Sequence, residues 1–192
     1  MLLDTIKTGS FHPNKDGDWI IGVCMRPSDC LVTTLLAIWK AGAAYLPIDP
    51  AFPKNRIEHI IEEAKPFLVV IDDFYPHTNN FGSLKSLRFG DLQRNSLDED
   101  FVNIPDEQTL TKGNKNSKAV ILYTSGSTGK PRGVKICHEN LVQRVLWQLR
   151  AYPFRDSEKH CVFKTALTFI DHVTELWCPL MAGKAVVVVP KE

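Results

Sequence analysis

No apolar run in the 192-residue chain approaches the roughly 18 residues that a membrane-spanning helix requires. Charge of one sign is also lacking: 23 basic residues stand against 22 acidic ones, a net charge of +1. That balance supplies no field to hold nucleic acid or an anionic membrane, and neither is expected as a partner. The five cysteines (Cys24, Cys30, Cys137, Cys161 and Cys178) form no C-x-x-C pair, and their number is odd. A disulfide framework and a zinc site are thereby disfavoured, and a reducing compartment fits best. Charge enters at Asp4 and Lys7, too early for a secretory signal. The expectation is a soluble, cytoplasmic protein.

What is present is an alternation of short apolar runs and amphipathic stretches. Residues 1–18 are polar and read as a loose leader. Residues 19–25 have strand length and character. Ser28 is placed to cap a helix whose apolar face is Leu31, Leu35, Ile38 and Trp39, ended by Gly42. Residues 43–48 form a second strand. Pro53 opens a helix with Ile57, Ile60, Ile61 and Ala64 on one face, broken by Pro66, and residues 67–71 form a third strand. Such alternation predicts an α/β domain with a mostly parallel sheet flanked by helices. Residues 73–118 are poor in apolar groups and read as a flexible connection with at most one short strand. Beyond it the pattern predicts strands at 119–123, 134–137, 161–165 and 185–189. Helices are expected at 138–150 and from Val173 to Met181, closed by Gly183.

The most informative stretch is 123–133: Tyr123, Thr124, Ser125, Gly126, Ser127, Thr128, Gly129, Lys130, Pro131, Arg132, Gly133. Its glycines allow positive φ and close backbone approach, consecutive amides form an anion-binding nest, and four hydroxyls and one lysine add donors. The absence of any carboxylate completes the description of a phosphate cradle. It is not a Walker A loop: Thr124 stands where the first glycine belongs, and Pro131 follows the lysine. Pro131 disfavours a helix there and favours a hairpin-like return into 134–137. A Gly/Ser turn without a ligand is the plain alternative.

This loop resembles the nucleotide-binding signature of the adenylate-forming (AMP-binding) superfamily of acyl-CoA synthetases, luciferases and nonribosomal peptide synthetase adenylation domains. Upstream, Trp39-Lys-Ala-Gly-Ala-Ala-Tyr-Leu-Pro-Ile-Asp-Pro50 resembles the second core motif of the amino-acid-activating branch. Downstream, Leu167-Thr-Phe-Ile-Asp-His-Val-Thr-Glu-Leu-Trp177 resembles the segment lining the carboxylic-substrate pocket. The resemblance runs from about Trp19 to Glu192 and implies part of the large N-terminal subdomain. The later aromatic-Gly-Pro-Thr-Glu motif, the hinge acid and the C-terminal lobe are not in the sequence. Arg132 replaces the lysine common at its position, keeping charge with a different bonding geometry.

A buried amino acid brings an ammonium that needs an anionic partner. Asp171 is the candidate, with Phe169, Ile170 and Thr174 beside it as pocket residues. Its position before a helix equally suits an N-cap. In α-amino-acid activators the pocket aspartate directly follows the aromatic residue, whereas here Ile170 intervenes. The shift resembles β-amino-acid activators, in particular the insect β-alanyl-biogenic-amine synthetases, and implies β-alanine as substrate. His172 reads first as a packed or solvent-facing histidine, with a pocket or base role as the alternative. The resemblance implies ATP with Mg2+, acyl-adenylate formation, and transfer to a phosphopantetheine thiol on a carrier protein domain and then to an amine. Residues 124–130 would hold the phosphates, with Lys130 the catalytic cation. The alternatives are a fatty-acyl or aryl-CoA ligase fragment, or a nucleotide-binding fragment without turnover.

Overall fold

The structure is a computed structural model that describes residues 9, 11–75, 81–94, 109–110, 115–125 and 131–189. Its first strand, β1 (Ile20–Cys24), is buried along its whole length. Two parallel neighbours flank it, β2 (Ala44–Pro47) and β3 (Leu68–Ile71). The six-stranded sheet is completed by β4 (Ser86–Arg88) beyond β3, and by β5 (Lys118–Thr124) and β6 (Arg132–Cys137) beyond β2, in the order β4-β3-β1-β2-β5-β6. All pairings are parallel except β5 with β6.

Side chains alternate between two apolar clusters, one on each sheet face. Ile21, Val23, Tyr45, Leu68, Val70, Val120 and Leu122 belong to one cluster, and Ile20, Cys24, Leu46, Val69, Ile71, Ile121 and Tyr123 to the other. This two-faced burial is why the strands read as near-continuous apolar runs. Helix α1 (Asp29–Lys40) contributes Leu31, Leu35 and Ile38 to the first face, and α2 (Lys54–Ala64) contributes Ile57, Ile60 and Ala64 to the second. The adjacent strands β1 and β2 are thus followed by helices on opposite faces. In open α/β sheets, ligands collect outside the strand C-termini at such a place.

Local chemistry sets the element ends. Ser28 Oγ accepts from the Leu31 amide at 3.1 Å, as the sequence predicts for a cap. After α1, Gly42 has φ 83°, its amide donates to Trp39 O, and the Ala43 amide donates to Ile38 O, a Schellman closure. Helix α2 ends at Ala64, two residues before the predicted breaker Pro66, because Lys65 itself turns left-handed at φ 50°.

Three features differ from the sequence reading. Residues 11–18 are not loose. Asn14 Oδ1 accepts from the Asp16 and Asp18 amides, and Lys135 Nζ donates to Asp16 Oδ2 and Asp18 Oδ2 at 2.6 Å each. Phe11 packs tilted on Phe67 with ring centroids 5.3 Å apart. Within 73–118, β4 pairs with β3 as the one short strand allowed for, but it runs into an unforeseen short helix, α3 (Phe89–Arg94). The Leu110 amide of the same stretch donates to Ala41 O. Finally, β7 (His160–Phe163) and β8 (Ala185–Val188) pair in parallel with each other as a separate two-stranded sheet. Helices α4 (His138–Ala151) and α5 (His172–Met181) join this sheet to the first cluster through Leu141, Val145, Phe163, Val173 and Leu176.

Candidate active site

The strand β5 ends on Thr124, on the C-terminal side of the parallel sheet, and β6 returns antiparallel with Arg132 opposite Thr124 and Gly133 opposite Tyr123. The hairpin return predicted from Pro131 is therefore present. Thr124 and Ser125 are exposed, and neither hydroxyl bonds a partner among the described residues, so both are available to an anionic ligand. Gly126, Ser127, Thr128, Gly129 and Lys130 lie outside the described residues. The hairpin is braced beneath by Tyr123, whose ring lies against Gly133. A Cβ on that glycine would come 3.0 Å from Tyr123 Cζ. Burial, then the nearby Glu63 carboxylate, pushes the Tyr123 phenol up and keeps it neutral. His59 of α2 reaches the return at Pro131 O, with Nε2 3.1 Å away.

A second set of predicted residues gathers on the turn entering α5. The Phe169 amide donates to Ala166 O and the His172 amide to Phe169 O, so the chain is already coiling when it reaches the helix. Phe169 is 65 % exposed and Ile170 43 %. Asp171 occupies the N-cap position, but its side chain makes no capping hydrogen bond. It is exposed, and its carboxylate has no hydrogen bond or ion pair among the described residues. Its backbone carbonyl accepts from the Thr174 and Glu175 amides and, at 3.0 Å, from Thr174 Oγ1. Thr174 is therefore engaged with its own helix turn.

Two further side chains hold this segment at either end: Glu175, which sequence reasoning gave no role, and His172, for which it preferred a packing role. Glu175 accepts from the amides of Lys164 and Thr165 at 2.9 and 2.8 Å and from Thr165 Oγ1 at 2.7 Å. Partial burial acts to raise its carboxyl, but these donors outweigh it and hold the group below the usual carboxylate range. At the far end His172 is wholly buried. Its Nδ1 lies 2.6 Å from Phe169 O and its Nε2 2.6 Å from the Tyr45 hydroxyl. Desolvation pulls the imidazole down to about 4, against the smaller opposing effects of the Phe169 carbonyl and the Glu175 and Asp171 charges. The ring is neutral at physiological pH. Of the two readings the sequence left open, the packed histidine is the one observed. Glu175 and Tyr45, the partner of His172, left a faint sequence signal: Glu175 is a lone acid among Val173, Leu176 and Trp177, and Tyr45 is a polar tip in a strand buried on both faces.

An aromatic cluster joins the two regions. Trp39 of α1 donates Nε1–H to Ala119 O of β5 at 2.8 Å, and its ring packs 4.5 Å from Trp177 of α5 and 5.6 Å from Tyr45. His138, at the start of α4, sits edge-on to Trp39 at 5.4 Å, and burial lowers its pKa. The strand leading into the Gly/Ser-rich hairpin and the helix behind the Asp171 turn therefore share one packed contact set.

A mostly parallel, helix-flanked sheet with a hydroxyl- and glycine-rich hairpin at a strand C-terminus is an α/β fold of the kind that places ligands at the strand ends. The chain belongs to the AMP-binding enzyme family, whose model matches residues 15–192, and that family is the adenylate-forming ligases. Among curated proteins it is 53% identical over 180 residues to the beta-alanyl-bioamine nonribosomal peptide synthetase ebony of Drosophila melanogaster, covering 94% of this chain and 20% of that protein. It is 33% identical to bacitracin synthase 3 of Bacillus licheniformis, over 89% of this chain and 2% of the other. The chain thus spans a fifth or less of the length of these relatives. Among solved structures, the N-terminal subdomain of Klebsiella oxytoca NpsA in complex with 3-hydroxybenzoyl-AMSN superposes with a TM-score of 0.77 at 23% identity. That match covers 100% of this chain and 45% of the other. The Bacillus subtilis O-succinylbenzoate coenzyme A synthetase in complex with AMP gives 0.79 at 14% identity, covering 100% and 47%. These last two establish the fold.

Proposed function

We propose that this chain supplies the nucleotide loop and part of the substrate pocket of an enzyme that activates β-alanine. The observation that carries the reading is the Asp171 carboxylate, which caps nothing, pairs with nothing described, and stands on a turn beside the exposed side chains of Phe169 and Ile170. An amino acid whose ammonium meets Asp171 has its apolar methylenes against these neighbours. The 53% identity to a beta-alanyl-bioamine synthetase supports the same substrate.

In the reaction the substrate carboxylate attacks the α-phosphate of ATP, which enters with Mg2+. Pyrophosphate leaves and an acyl-adenylate forms. No general base is needed, because the nucleophile is already ionised. The protein's task is to place reactants and stabilise phosphate charge. Thr124 and Ser125 offer hydroxyls at the loop's entrance, and residues 126–130, with Lys130 as the cation, complete the cradle for the β- and γ-phosphates. The acyl group then passes to a phosphopantetheine thiol on a carrier domain and onward to an amine.

ATP–pyrophosphate exchange tests the proposal. β-Alanine should support exchange better than α-amino, aryl or fatty acids. Asp171→Ala should lower kcat/KM for β-alanine by about a hundredfold or more, as expected when one member of a desolvated charge pair is removed, with ATP binding unchanged. Exchange driven instead by aryl or fatty acids and indifferent to Asp171 would move the chain to the acyl-CoA ligases. A folded protein that binds ATP without exchanging pyrophosphate would make it a nucleotide-binding unit alone. Gly126→Val should weaken ATP binding by crowding the cradle, read by isothermal titration, and an unaltered affinity would remove the loop from the site.

A further inference from the structure

The bond pattern around His172 has only one self-consistent arrangement of protons. Phe169 O is a carbonyl and can only accept, so the Nδ1 that lies 2.6 Å from it must carry the ring's proton. Nε2 is then a bare acceptor, and the Tyr45 hydroxyl, 2.6 Å away, must donate to it. Burial raises the Tyr45 phenol and keeps that proton in place. The Trp177 indole N–H is buried without a hydrogen-bond partner among the described residues. Both Tyr45 and His172 are 0% exposed, so no water competes for these bonds. The two residues are 127 positions apart, and their contact ties the central sheet to the turn that presents Phe169, Ile170 and Asp171.

We infer that Tyr45 and His172 are positioning residues that hold the 169–171 turn by its Phe169 carbonyl, and that the turn's fixed height sets which amino-acid length Asp171 can reach. This rests on the reading of that turn as the ammonium pocket. The Glu175 clamp holds only the start of the segment, at Lys164 and Thr165. The Phe169 carbonyl accepts from the His172 ring on one side and from the His172 amide at 3.3 Å on the other. Losing the ring leaves the longer bond alone. Ile170 O and Asp171 O keep their bonds from the Val173, Thr174 and Glu175 amides, but the Phe169 end of the turn is held less closely and the height of the carboxylate with it; one methylene separates a β- from an α-amino acid.

The test uses the full-length protein with four variants, Tyr45→Phe, His172→Asn, His172→Leu and Asp171→Ala, assayed by pyrophosphate exchange. An asparagine amide can reach the place of Nδ1 and still donate to Phe169 O. A leucine fills the volume but donates nothing. Positioning predicts that His172→Leu raises KM for β-alanine about tenfold, the effect of one lost buried hydrogen bond, with kcat and KM for ATP little changed. The preference for β-alanine over α-alanine and γ-aminobutyrate should narrow with it. His172→Asn should recover most of the loss, and Tyr45→Phe should fall between. A role in packing alone predicts the reverse order, with leucine tolerated and asparagine not, and would overturn the inference. So would an imidazole 15N spectrum placing the proton on Nε2 in the unsubstituted protein, a readout that requires no variant to fold and no turnover. If Asp171→Ala leaves β-alanine KM unchanged, the pocket reading fails and takes the inference with it. If Asp171→Ala is impaired while Tyr45→Phe and His172→Leu keep normal KM and selectivity, the inference alone fails.

Discussion

At the residue scale, His172 couples the fold to pH. An unfolded histidine titrates near its ordinary value, about 6.5, whereas the buried ring stays neutral down to about 4. Between these values the unfolded chain binds a proton that the folded chain refuses, so stability falls as pH falls. Tyr45 of β2 faces the ring as a neutral donor, while Glu175 and Asp171 of its own helix act in the opposite sense and moderate the shift. The expected loss from pH 6.5 to 4 is about 3 kcal/mol, measurable by urea denaturation across that range. His172→Asn, which cannot titrate, should flatten this part of the curve. An unchanged slope would mean that the imidazole is solvated in the native state.

Among elements, the hairpin of β5 and β6 is the one whose internal packing bears most directly on the proposed nucleotide site. A side chain at Gly133 would press on the Tyr123 ring, which must give to admit even a Cβ. Gly133→Val must displace that ring or part the strands, at a cost of about 1–3 kcal/mol. Denaturant titration should record that loss, and the KM for ATP should rise because the loop's two stems no longer meet. Retained stability with normal ATP kinetics would show the ring free to move aside. Much of this element was legible beforehand: an apolar run, a glycine- and hydroxyl-rich loop, and a proline that forbids a helix. The start of α5 was legible only in part. Its period identified the helix, but nothing local said whether Asp171 would cap it. The structure leaves that side chain uncommitted, because the Val173 and Thr174 amides that it could cap donate to Ile170 O and Asp171 O instead.

Over the whole molecule, the apolar surface is distributed unevenly. Strands β1, β2 and β3 of the central sheet are buried on both faces, whereas the two-stranded sheet of β7 and β8 packs only one face, through Phe163, Val186 and Val188. Val162 and Val187 on its other face are exposed, with Val189, Leu180 and Met181 also open nearby. Parallel strands are normally buried on both sides, and an apolar surface of this kind seeks a partner layer. The isolated 192-residue chain should therefore self-associate and bind a hydrophobic dye. A Val162→Lys, Val187→Lys double variant should reduce both, as read by sedimentation velocity and dye fluorescence. A parent chain that stays monomeric and dark would argue against an open face.

What the sequence determined by itself was the alternation of strands and helices, the parallel α/β class, the hairpin return at Pro131 and the chemistry of the residues offered at 124–130 and 169–174. These follow from hydrophobic period, capping and the donor content of short segments, all properties of neighbouring residues. Only the tertiary structure decided that residues 11–18 fasten to Lys135, that β7 and β8 leave the main sheet, that Trp39 reaches Ala119, and that Tyr45 meets His172. Each of those pairs residues far apart in the chain, and their meeting depends on strand order and on the face each helix covers. No local period encodes that.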